Sequence, residues 1–333
     1  MQARLTKPVG AVIFTFVLVL GLAASATAQE PPQFSAWTAP VNLGSTVNSA
    51  SGDFFSFITR DGLSLYFTVG TCNPHIDGCP DGYGGWDIFV SQRTTVNDEW
   101  GPPQNLGPEI NTAYNEGSPS ISADGHLMYF ASDRQGGWGG NDLYVSRRHN
   151  RRDDLGWQRP ENLGNTVNSS ADEASPEIFE DDITGKVFLY FDSNRTGGPG
   201  PFTSDAAGNG NDIYVSEQQG DGTFGFPTEV AELNTTSADR QVSIRRDGLE
   251  LFLVSNRSGT FGGLDLWVST RPTIAEPWST PVNLGAIINS SANDAGPAIS
   301  FDGTVLYMQS ARAGGYGAFD LFLARREKVR ETE

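Results

Sequence analysis

Five residues beyond an asparagine, and five times over, the chain places a carboxylate: Asp53 after Asn48, Glu116 after Asn111, Glu173 after Asn168, Asp239 after Asn234 and Asp294 after Asn289. Four repeats add an arginine further on, Arg134, Arg195, Arg257 and Arg312; the first repeat has none. Carboxylates gathered around one opening can bind a cation such as calcium or a polar ligand, or act as general acid and base on a glycosidic bond. Paired with the arginines, they would instead tie down loops. Asp53, with no arginine of its own, is the member most open to a ligand.

Aromatic residues recur on glycine-rich segments: Tyr83 and Trp86, Trp138, Phe202, Phe261, Tyr316 and Phe319. Flanking glycines leave ring faces free to stack on a sugar or to grip a peptide. Cys72 and Cys79 are the only cysteines, and so close a pair in an exported chain reads as a local disulfide pinning one loop. The three histidines, His75, His126 and His149, stand near no Gly-x-Ser-x-Gly elbow, so a nucleophilic triad has no support.

The elements that must position these residues repeat as well. An Asp opens a short apolar run at Asp87, Asp142, Asp212, Asp265 and Asp320, and an aromatic with Pro three residues on recurs as Trp37, Trp100, Trp157, Phe224 and Trp278. These aromatics lie 54 to 67 residues apart, and no helical periodicity intervenes. Strand-length runs separated by turn signals such as Asp124-Gly125 make four antiparallel strands per repeat. The expectation is all-β: a five-bladed β-propeller of four-stranded antiparallel blades. Trp37 to Gly44 is a fourth strand with no blade of its own, and the last repeat stops after three strands, so the N-terminal strand completes the last blade and closes the ring.

Residues 1–28 have the basic, apolar and small-residue order of a secretory leader. The expected division is therefore 1–28 signal peptide, 29–36 linker, 37–327 propeller and 328–333 tail, in an exported, periplasmic or extracellular monomer with no membrane insertion after cleavage. A net charge of −18 argues against nucleic acid and anionic membranes as partners.

The pattern S-x-D-G-x-x-L-Y-F-x-S-x-R followed by G-G-x-D-L-Y-V-S, clearest at Ser122 to Ser146 and Ser300 to Ala324, resembles the WD-like propeller repeats of the TolB type. Blade one departs from it with Thr68-Val69-Gly70, and blade three stretches its first turn from Glu180 to Lys186. The resemblance implies the propeller fold and an envelope setting. The functional expectation is a non-enzymatic binding propeller without a cofactor, recognising an envelope or extracellular protein or glycan at its channel face. The alternative is a carbohydrate-active enzyme, hydrolase or lyase, using the channel-mouth carboxylates.

Overall fold

A computed structural model describes residues 33–70, 82–195 and 210–329. The expected leader, Cys72 and Cys79, and Phe202 lie outside the described residues. Five four-stranded antiparallel sheets form the blades of a propeller. The last blade takes Asp294–Ile299, Val305–Ser310 and Asp320–Arg325 from the C-terminal end and Val41–Asn42 from the N-terminal end. This closure runs further than expected: Ser35 N–H donates to Glu327 O at 2.9 Å, and Phe34 forms a bridge with Lys328, so parts of the expected linker and tail belong to the ring.

The fourth strands are shorter than their sequence suggests. Only two residues pair in each blade, as at Gln104–Asn105 and Glu161–Asn162. The prolines just before them, such as Pro103 and Pro160, have no N–H to offer a ladder. The aromatic ahead of each proline packs between blades instead. Trp157 meets Tyr66 of the preceding blade at 6.3 Å, Phe224 meets Tyr129 at 5.9 Å, Trp100 meets Tyr307 at 6.3 Å and Trp37 meets Phe252 at 6.1 Å. Buried apolar clusters fill these seams, each drawing on two adjacent blades.

An arginine after the third strand clamps four of the seams. Arg93, Arg148, Arg271 and Arg326 lie 4.1–4.4 Å above Trp100, Trp157, Trp278 and Trp37. Each also donates through Nε to the carbonyl of a turn glycine, Gly62, Gly125, Gly248 or Gly303. Cation–π contact and a charged hydrogen bond thereby fix the turn to the seam.

Each innermost strand carries a bulge, at Phe55, Ser118, Ser175, Gln241 and Gly296, all with φ between 49° and 58°. Four of the five are not glycine, a conformation that costs on the order of 1 kcal/mol each. The neighbouring blade takes up amides freed by the bulge: Phe55 N–H donates to Gln309 at 2.7 Å, Ser118 N–H to Thr68 at 3.1 Å and Gln241 N–H to Asp192 at 3.2 Å. In the last blade Gly296 N–H donates to the Gln241 side chain at 2.9 Å. The bulges therefore knit the blades around the axis and set which side chains reach it.

Candidate functional site

The carboxylate ring lies where the innermost strands begin, at the end of the propeller that carries the loops between second and third strands. Its members are sealed, with Asp53, Glu116, Glu173, Asp239 and Asp294 all at 0% exposure. Each accepts the backbone N–H four residues earlier, from Ser49, Thr112, Ser169, Thr235 and Ser290, at 2.5–2.7 Å. Four of them are ion-paired: Glu116 with Arg134 at 3.2 Å, Glu173 with Arg195 at 3.0 Å, Asp294 with Arg312 at 2.7 Å, and Asp239 with Arg257. The same guanidinium groups donate to the carbonyls of Ile110, Val167, Ile288 and Leu233. What these groups do here is fasten each incoming loop to its blade.

Asp53 differs. Its Oδ1 is buried without a hydrogen-bond partner, and burial, opposed by the Ser49 hydrogen bonds, pushes its pKa up to about 7. Among the described residues no group of three His, Cys, Asp or Glu side chains is placed to hold a metal ion.

The loop aromatics form a repeated rim on this same end. Tyr83, Trp138, Phe261 and Tyr316 each precede the Asp of a third strand by four residues, and each donates its N–H to that carboxylate at 2.6–2.8 Å. All four side chains are about half exposed. Glycine is required beside them: a Cβ on Gly139 would stand 1.9 Å from Ala171 O, and one on Gly262 1.9 Å from Ala292 O. Trp86 is exposed as well, though in edge contact with Phe54 at 5.0 Å.

Among the described residues a space large enough for a ligand lies at the other end, among the turns between first and second strands. A cavity of about 850 Å³ opens there and draws on all five blades. Two rings of equivalent positions stand about the axis here, one on the innermost strands and one where those strands run into the turns. At the neck stand Phe57, Ser120, Glu177, Ser243 and Ala298, and three residues nearer the mouth stand Arg60, Ala123, Glu180, Arg246 and Phe301. Behind the neck the axis holds a second void of about 40 Å³, room for about one water.

Glu177 is the carboxylate at that neck. One oxygen accepts Ile244 N–H at 3.1 Å, and the other accepts the Ser120 hydroxyl at 3.1 Å. Ser120 and Ser243 perform the same stitch for Ile178 and Ile299, both at 3.1 Å, so a serine is enough for the structural task. Glu177 is partly buried, and part of its surface opens to the channel. Burial, against the hydrogen bonds from Ile244, Ser120 and Ser243, raises its pKa to about 7. A carboxyl poised there can give and take a proton near neutral pH. Lining up the five innermost strands by their bulges exposes this residue in the sequence, since Glu177 stands where the other blades have Phe, Ser, Ser and Ala.

No protein-family model matches the chain, and no curated protein matches it in sequence. Solved structures do match in fold. An α-L-arabinofuranosidase from Lactobacillus brevis is 15% identical, with a TM-score of 0.55 over 84% of this chain and 91% of that one. The catalytic domain of a family GH62 α-L-arabinofuranosidase from Coprinopsis cinerea is 13% identical, with a TM-score of 0.53 over 89% and 98%. A xylan β-1,4-xylosidase from Bacillus halodurans is 14% identical, with a TM-score of 0.52 over 85% and 54%. At these identities the likeness establishes the fold. It also corrects two expectations, the TolB-type kinship and the purely binding, non-enzymatic role, because the solved structures it is compared with are glycoside hydrolases.

Proposed function

We propose that this protein is a carbohydrate-active enzyme that cleaves a glycosidic bond in the cavity at the turn end of its propeller. One observation carries the proposal: a single glutamate, Glu177, stands at the neck of that cavity with its pKa raised to about 7, in a ring that other blades complete with neutral side chains. Glycoside cleavage needs a carboxylic acid still protonated at working pH to hand a proton to the leaving oxygen. Glu177 has that state and opens to the cavity. Glu180, on the same strand at the mouth, is the second carboxylate available; one of its oxygens accepts the Ala123 N–H at 2.7 Å. In this reading the ring of Asp53, Glu116, Glu173, Asp239 and Asp294 is architecture, and chemistry lies at the opposite end.

The fold shared with arabinofuranosidases and a xylosidase supports the reading. So does the inequality of the neck, since catalysis needs a few positions to differ where a repeat would make them alike. The enzyme is read as exported, acting on an extracellular or envelope glycan. The test is turnover across a panel of plant, algal and bacterial polysaccharides by the full chain and by Glu177→Gln. Loss of about 10²-fold or more in kcat for Glu177→Gln is expected. Full turnover by that variant would remove Glu177 from the chemistry.

A further inference from the structure

The cavity gathers arginines in a chain that is acidic overall. The whole chain has 40 acidic against 22 basic residues, yet Arg60, Arg93, Arg148, Arg151, Arg152 and Arg246 all line this one cavity. Three of them are already employed. Arg93 holds the Gly62 carbonyl at 2.8 Å, Arg148 is ion-paired with Asp154 at 2.5 Å, and Arg246 is ion-paired with Asp182 and donates to Glu180 O at 2.6 Å.

The other three are not. Among the described residues the Arg60 side chain has one partner, the Phe301 ring, 4.4 Å from its guanidinium carbon, and no carboxylate. Arg246 approaches the same ring at 5.5 Å. Two guanidinium groups thus converge on one phenyl ring; Arg246 has Asp182 as its ion-pair partner, and Arg60 has no carboxylate shown. Burial holds Arg246 below its ordinary pKa; Glu180 opposes that, and the like charge of Arg60 adds to it. Arg151 and Arg152 are exposed on the blade-two side of the same opening, and no side-chain acceptor is shown for either.

Of the acids around the mouth, Glu180 accepts the Ala123 N–H at 2.7 Å and attracts Arg246, and the others are committed elsewhere. Asp61 accepts the Thr59 hydroxyl at 2.8 Å, and Asp124 accepts the Ser122 hydroxyl at 2.7 Å and the His126 N–H at 3.0 Å, all within their own turns. Asp154 is enclosed by Tyr66, Gln92 and Arg148. Glu177 holds a proton up to about pH 7 and so adds little negative charge at the neck.

Resting on the glycosidase reading of the same cavity, we infer that its substrate is an anionic glycan, whose carboxylate or sulfate is received by Arg60, with Arg246 beside it, at the mouth. Guanidinium groups suit both substituents because their paired N–H donors match two oxygens of either one. An incoming anion also relieves the repulsion between the two arginines. A neutral sugar does neither.

The experiment is calorimetric titration of the full chain with three oligosaccharides of equal length: an oligogalacturonate, a sulfated galactan fragment and a neutral xylo-oligosaccharide. Measurements are made at two salt concentrations and repeated on Arg60→Ala and Arg60→Lys. At least one charged ligand should bind about tenfold or more tightly than the neutral one, weakening as salt rises. Arg60→Ala should weaken that ligand alone by about tenfold, with Arg60→Lys intermediate. The charged arm that responds to Arg60 identifies carboxylate or sulfate. Equal binding of neutral and charged ligands, or an Arg60→Ala effect common to both, overturns the anionic inference and leaves the glycosidase reading standing. Failure of all three to bind, with the protein folded by its melting curve, overturns both.

Discussion

Replacing Glu177 by Gln should abolish the proposed glycosidase activity and stabilise the protein, and the two effects together separate a functional carboxyl from a structural one. A glutamine amide can keep the acceptor for Ile244 N–H and offer an N–H to Ser120, so the stitch at the neck survives. What disappears is a group whose pKa rises from 4.5 to about 7 on folding. A carboxyl raised in this way contributes stability that is present below its unfolded pKa and lost as pH climbs through its folded one. Above pH 7 the wild-type protein must therefore carry an awkward anion at the neck. Each pKa unit is about 1.4 kcal/mol, which sets a ceiling of about 3 kcal/mol. Water in the channel screens part of this, leaving about 1–2 kcal/mol. Thermal melts at pH 5 and pH 8 read the effect directly. At pH 8 Glu177→Gln should melt on the order of 2–6 °C above wild type, and at pH 5 the gap should shrink. Asp53 and Asp87 are raised to about 7 and about 6, and they slope wild type and variant alike, so the difference between the curves isolates Glu177. A variant that melts below wild type at pH 8, or a gap independent of pH, refutes the argument and makes Glu177 a charged structural post.

Three further outcomes follow from the packing. Asp154 accepts the Tyr66 hydroxyl at 2.6 Å, the Gln92 amide at 2.7 Å and Arg148 across the seam between blades one and two, so Asp154→Ala should cost about 3–5 kcal/mol by stranding a buried guanidinium; a change under about 1 kcal/mol by denaturant titration contradicts that. The hydrogen bonds that hold Asp154 below the usual carboxylate range, against its burial, also make its contribution fade as pH falls through the acid range. Arg257→Ala leaves Asp239 buried and unpaired and should lower stability by a similar amount, whereas Asp53→Asn should be neutral or stabilising at pH 8; equal losses in the two variants would mean that Asp53 has a partner after all. A chain beginning after Gly44 loses the strand that pairs with Asp320–Arg325 and should melt earlier and more broadly. An unchanged, equally sharp transition would show that the ring closes some other way.

The sequence by itself determined the architecture. Repeats of similar length, each with an Asp-led third strand and an aromatic-x-x-Pro exit, leave one way to pair twenty short strands, and an orphan fourth strand at one end with an incomplete blade at the other dictates closure. Such patterns are local, and backbone pairing follows them. It did not determine at which end of the channel the five-blade cavity would open. Asp53, Glu116, Glu173, Asp239 and Asp294 stand out in the text because they repeat, but the fold buried all five against loop amides and four of them against arginines. Glu177 passed as one residue of an ordinary strand because what singles it out is its four counterparts on other blades, and the bulge at Ser175 that sets its register is a backbone event. Arg60 and Arg246, nearly two hundred residues apart in sequence, share one phenyl ring only once the blades are wound about an axis. Strand order is written in nearest neighbours, whereas a site is a meeting of distant ones, and only closure of the ring brings that meeting about.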